Sequence, residues 1–165
     1  KKFNQNFLRK KIKSIKMKNL SNKALLSNEV GIEASIISKN KNIRRLVHSF
    51  QVNFAYNPPK KFNGSCLDGR DITYKIIPDA DFKFYITASV KIRAYRRFKE
   101  LKKIDKKVTF KEVLKSLKKR DKSDKNRKIS KLKKTRDSIL INTSNLSKRA
   151  CFLKIKSIMD RKTKN

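Results

Sequence analysis

The feature that most constrains this chain is the alternation of short β-type runs with amphipathic helical stretches from residue 64 onward. Gly64-Ser65-Cys66-Leu67-Asp68 reads as a short buried strand leading into the loop Gly69-Arg70-Asp71. After the turn Pro78-Asp79-Ala80-Asp81, Phe82-Lys83-Phe84-Tyr85-Ile86 reads as a second strand, and Ser138-Ile139-Leu140-Ile141-Asn142 as a third. Helical patterns separate them. Ser89 stands as N-cap before Ile92, Tyr95, Phe98 and Leu101, and Thr109 with Glu112 has the spacing of a capping box ahead of Phe110, Val113, Leu114 and Leu117. A last helix begins near Ser147 and is expected to bury Cys151, Ile155, Ile158 and Met159. Strands alternating with helices predict an α/β fold with a mostly parallel sheet. In such sheets ligands bind beyond the carboxyl ends of the strands, where the 68–71 loop and the charged segment before Ser138 fall.

The first 60 residues are organised differently. Residues 1–19 are basic with scattered apolar side chains and fit either strand or helix. Ser27 can cap a helix on which Val30, Ala34 and Ile37 recur at 3–4 residue spacing. A longer amphipathic stretch follows, with Ile43, Leu46, Val47, Phe50 and Phe54 on one face, and Asn57-Pro58-Pro59 ends it. No internal repeat is visible. No apolar run approaches the roughly 20 residues that a membrane-spanning helix needs. Two cysteines, Cys66 and Cys151, are too few for a disulfide scaffold or a zinc site built mainly from Cys.

The net charge of +34 invites a nucleic-acid reading, because each phosphate met by Lys or Arg releases counterions. Codon usage explains it better. Lys, Asn and Ile, all encoded by A/T-rich codons, supply 66 of the 165 residues. The cations spread along the whole chain, and Trp, a preferred stacking platform for single strands, is absent. The densest polar cluster is Arg120-Asp121-Lys122-Ser123-Asp124-Lys125-Asn126-Arg127. On a helix, Arg120, Asp124 and Arg127 project from one face. Two guanidiniums flanking a carboxylate suit a phosphorylated, hydroxyl-bearing ligand, although composition alone favours a solvated helix end. Arg93, Arg96 and Arg97 form a second cluster. His48 reads as structural, Ser65 and Ser89 lack a nearby base, no His pair or Cys/His grouping has metal-ligand spacing, and no carboxylate pair stands out for acid/base work.

These residues resemble a family. Leu67-Asp68-Gly69-Arg70-Asp71-Ile72, Pro78-Asp79-Ala80-Asp81-Phe82-Lys83 and Thr87-Ala88-Ser89 are similar to the central signature of bacterial cytidylate kinases. The likeness continues through Arg93-Ala94-Tyr95-Arg96-Arg97, Arg120-Asp121, Asp124, Arg127, Asp137-Ser138 and Leu146-Ser147. Upstream it includes Glu29-Val30-Gly31, Ala34-Ser35, Ile43-Arg44 and Asn53-Phe54 before Asn57-Pro58-Pro59. The resemblance implies a P-loop nucleoside monophosphate kinase fold and transfer of the ATP γ-phosphoryl group to CMP or dCMP with Mg²⁺. By position it implies that Ser35, Arg44 and Asp71 contact the cytosine. Arg70 and Arg127 would hold the CMP phosphate, Arg120 and Asp124 the ribose, and one of Arg93, Arg96 and Arg97 would face ATP. Residues 1–60 would carry the nucleoside-monophosphate-binding insert and residues 61–165 the core, with 120–131 as a lid. A cytoplasmic monomer without membrane or specific nucleic-acid partner is the matching expectation.

The chain departs from the family pattern in several places. Such kinases open with a strand, a Gly-x-x-x-x-Gly-Lys-[Ser/Thr] loop and a helix, whose backbone N–H groups cradle the ATP phosphates. Here the only glycines are Gly31, Gly64 and Gly69, and the first methionine is Met17. The expectation is a sequence lacking the family's N-terminal third and inactive as it stands. Thr73-Tyr74-Lys75 replaces a usual Gly-Thr-Val, and Ser130-Lys131-Leu132 a usual Ala-Pro-Leu. Ser123 and Leu26 stand where arginines are usual. The rival readings are a non-enzymatic basic remnant that binds nucleic acid, and a related kinase acting on UMP or AMP.

Overall fold

The computed structural model describes residues 4–163 apart from residues 16–18, 20, 39 and 127–128, with the backbone alone at 23, 26, 28 and 35. Two compact units emerge, Lys1–Asp68 and Gly69–Asn165. Among its described residues the first unit contains three α-helices: α1 (Gln5–Lys13), α2 (Asn28–Ile37) and α3 (Lys41–Tyr56). Each opens on a side chain that accepts from an otherwise unpaired first-turn N–H: Asn4 from Phe7, Ser27 from Val30, and Asn40 from Asn42 and Ile43. Of the stretch left open between strand and helix near the start, Gln5–Lys13 is thus helical. The apolar residues of α2 at that spacing stay largely in solvent, Val30 38% and Ile37 46% exposed. α3 ends where expected, at Asn57, whose side-chain amide donates to the Asn53 carbonyl before the two prolines.

The second unit holds β1 (Phe84–Thr87), α4 (Val90–Lys102), α5 (Phe110–Asn126), β2 (Ile139–Asn142) and α6 (Lys148–Thr163). β1 and β2 pair in parallel, Phe84 beside Ile139 through Thr87 beside Asn142. Parallel neighbours need a crossover, which α4 and α5 supply. The ladder is extended at both ends by the Ile139 N–H on the Lys83 carbonyl and the Thr143 N–H on the Thr87 carbonyl. Caps again mark the helix starts. Ser89 accepts from Ile92 N–H, Ser147 from Ala150 N–H, and Thr109 and Glu112 close a reciprocal capping box.

The core of this unit sits where the α4–α5 crossover meets the strands: Ala94 and Ile141 are fully buried, with Val113, Ile72, Ile76 and Ala88 nearly so. Phe98 of α4 meets Phe110 of α5 edge to face, ring centroids 6.2 Å apart. At the other end, Lys162 of α6 donates to the Asp81 carbonyl and lies over the Phe82 ring. Two expectations are corrected. Residues 64–68 form no strand: the backbone there is irregular and Cys66 is exposed, with no neighbouring strand among the described residues to pair it. On α6, Cys151, Ile155 and Ile158 are only half-buried and Met159 is exposed.

Replacing Ile141 by Ala should destabilise this unit by about 2–5 kcal/mol, since a cavity replaces a fully packed side chain. Leu140→Ala, at a neighbouring position that is 53% exposed, should cost far less. The urea midpoints of the two variants check the contrast.

Candidate functional site

The loop after Asp68 turns over the side chain of Ile72: a Cβ at Gly69 would lie 2.9 Å from Ile72 Cγ1, so glycine lets the backbone pass close to a buried residue. The next residue, Arg70, donates from Nε to Asp124 Oδ2 at 2.8 Å. Asp124 projects from the last turns of α5 and is buried with 8% exposure. Arg120, one turn earlier on the same helix, brings its Nε to 3.9 Å from the same oxygen. One carboxylate therefore stands between two guanidiniums.

A second pair flanks the first. Arg93 of α4 makes a bidentate bridge to Asp121 of α5, at 2.9 and 2.7 Å, and its Nε donates to the Ala88 carbonyl. That bridge raises the Arg93 pKa and lowers that of Asp121, chiefly through the hydrogen bonds themselves. Arg97, a turn beyond Arg93, approaches Glu100 at 3.5 Å. Burial, then the fields of Arg70 and Arg97, push the Arg120 guanidinium below its ordinary value, with Asp124 and Asp121 opposing. Cations thus outnumber carboxylates in this corner, the condition under which an added anion is stabilised.

Other predicted residues have different settings. Arg96 turns to the strand ends and donates to Thr143 Oγ1 and to the carbonyls of Thr143 and Leu146. Asp71 caps the irregular turn Ile72–Ile76, its carbonyl accepting from the Lys75 N–H. Arg44, on α3, donates to the Ser38 carbonyl at the end of α2. Ser35 lies on α2, and its side chain is outside those described. Arg127 lies outside the described residues, just after α5. The structure thus brings together Arg70, Arg120 and Asp124, with Arg93, Arg97 and Asp121 beside them. Arg44 and Ser35 belong to the first unit.

Sequence reasoning missed Asp121 as a partner of Arg93, because 28 residues separate them and no local spacing links the two helices. It also missed the Lys83 bridge to Asp137, which joins the approach to β1 with the approach to β2. Among the described residues, no three His, Cys, Asp or Glu side chains converge on a metal position. The arrangement suits phosphate oxygens and hydroxyls: guanidinium forks for the former, Asp124 as acceptor for the latter.

A family model described as cytidylate kinase matches residues 2–161. Among curated relatives, the cytidylate kinase of Mesorhizobium japonicum is 36% identical over 148 residues, covering 90% of this chain and 67% of that protein. That of Bartonella tribocorum is 41% identical over 136 residues, covering 82% and 61%. That of Clostridium botulinum strain Hall is 40% identical over 123 residues, covering 74% and 52%. The chain spans between about half and two thirds of the length of these relatives.

The carboxylates give a pH dependence. Hydrogen bonds from Lys83 and Thr135 lower Asp137 from 3.8 to about 2, and Arg93 lowers Asp121. A carboxyl depressed by folding adds stability that is fully present above its unfolded value and lost as pH falls toward the folded one. The melting temperature should therefore hold near neutrality and fall between about pH 4 and pH 2. Asp137→Asn should make that fall shallower in a thermal titration.

Proposed function

The chain belongs to the cytidylate kinase family, and on that premise we propose that the protein transfers the γ-phosphoryl group of ATP to CMP or dCMP, giving CDP or dCDP. The observation that carries the reading is the Arg70–Asp124–Arg120 constellation with its excess of positive charge. Arg70, with Arg127, takes the CMP phosphate. Asp124 accepts from a ribose hydroxyl and Arg120 steadies it. Ser35, Arg44 and Asp71 contact the cytosine, Asp71 accepting from the exocyclic amine. Of the arginines on α4, Arg93 pairs with Asp121, Arg96 with strand-end carbonyls and Arg97 with Glu100. One of these three faces ATP. Residues 1–60 act as the monophosphate-binding insert, and residues 120–131 as the lid of the 61–165 core.

Phosphoryl transfer asks little covalent chemistry of a protein. It needs the two nucleotides aligned and the charge on the moving group cancelled, which fixed guanidiniums do without reorganising. Mg²⁺ would travel with the ATP phosphates and neutralise part of their charge. The 165 residues hold no Gly-x-x-x-x-Gly-Lys-[Ser/Thr] run. Taken alone they should bind CMP but turn none of it over.

Isothermal titration tests this directly. The chain should bind CMP more tightly than UMP, and Asp71→Ala should erode the CMP/UMP ratio by about tenfold, the loss of one charge-assisted hydrogen bond. Arg70→Ala should weaken CMP by a similar factor. An unchanged ratio in Asp71→Ala would remove the cytosine assignment. Equal, steeply salt-dependent binding of all mononucleotides and single-stranded DNA would instead favour a non-enzymatic nucleic-acid binder.

A further inference from the structure

Three hydrogen bonds, joined by short stretches of chain, close a ring that includes the Arg70–Asp124 pair. Arg70 Nε donates to Asp124, and the Asp124 backbone carbonyl accepts from the Leu132 N–H at 2.9 Å. The residue before Leu132, Lys131, offers its carbonyl to the Tyr74 hydroxyl at 2.6 Å. Tyr74 lies four residues after Arg70, on the Ile72–Ile76 turn whose buried Ile72 and Ile76 anchor it. Two further contacts brace the same joint: Lys75 Nζ donates to the buried Ser130 Oγ at 3.2 Å, and Lys133 Nζ lies 4.4 Å from the Tyr74 ring centroid. Ser130 holds φ at +56°, a left-handed conformation unfavourable for serine and sustained only by such surroundings. Both sides of the joint, 73–75 and 130–132, are places where the sequence departs from the family pattern.

We propose that Tyr74 is a positioning residue: by clasping the Lys131 carbonyl it fixes residues 130–132, and through Leu132 it holds Asp124 where Arg70 and the bound nucleotide meet it. The inference rests on the CMP-binding reading for its functional consequence, while the clasp itself exists without nucleotide. The chemistry is local. Loss of one hydroxyl leaves the ring and its packing in place but frees the carbonyl of Lys131, so the Leu132 and Arg70 N–H groups lose their fixed partners more often.

Tyr74→Phe removes only that hydroxyl, and Tyr95→Phe, at an exposed position on α4, serves as control. By NMR on the nucleotide-free chain, the Leu132 amide and the Arg70 Nε–H should exchange with solvent about three- to tenfold faster in Tyr74→Phe, the effect of one net hydrogen bond, and remain unchanged in Tyr95→Phe. CMP affinity by titration should drop by a similar factor in Tyr74→Phe only. Unchanged protection of both groups overturns the clasp. Faster exchange with unaltered CMP affinity overturns its positioning role. A wild-type chain that binds no CMP would overturn the kinase reading instead, and the exchange data would still decide the clasp.

Discussion

Carboxylates are the scarce component of this molecule, 13 against 47 cationic side chains, and where each is placed decides how its elements are joined. In the second unit, Asp121 joins α5 to α4 through Arg93, Asp124 joins α5 to the loop after Asp68 through Arg70, and Asp137 joins the two strand approaches through Lys83. These bridges span 28 to 54 residues of sequence. Exposed pairs on a single helix contribute little. Bridges between elements act differently, because each also relieves repulsion in a chain of such high positive charge.

The Asp124 bridge has the greatest consequence. A buried carboxylate has to be paired, and here two guanidiniums share it. A shared counter-ion leaves positive charge over, and that surplus is what the proposed reading offers to a phosphate group. The apolar core beneath is small, centred on Ile141, Ala94 and Val113, and it supplies the rigid footing from which the arginines project. The tethers through Leu132 and Tyr74 fix the far end of the helix that carries Asp124. Packing and charge thus act on the same few residues.

Much of the secondary structure was legible because its signals are local. Ser89 with the Ile92–Tyr95 spacing, the Thr109–Glu112 box and the Pro58-Pro59 stop each act within one helical turn, and each appears as expected. Grouping Arg120 with Asp124 on one face followed from helical periodicity alone. The readings that failed are those for which burial had to be guessed. A run such as residues 64–68 becomes a strand only if another backbone lies alongside to take its hydrogen bonds, and the sequence of the run is silent about that. Met159 on α6 carries the pattern of a buried face, yet periodicity says which side of a helix is apolar without saying what covers it.

By itself, then, the sequence determined the family, the order of helices and strands from residue 84 onward, the parallel sense implied by helical crossovers, and the residue types suited to a phosphorylated nucleoside. These depend on composition, short-range spacing and motif order. Only the tertiary structure decided which arginine meets which carboxylate: Arg93 with Asp121, Arg70 with Asp124, Arg96 with the strand-end carbonyls, and Tyr74 with Lys131. With 47 cations available, pairing is chosen by the distances that packing imposes, and distance between remote residues is a property that no local pattern encodes.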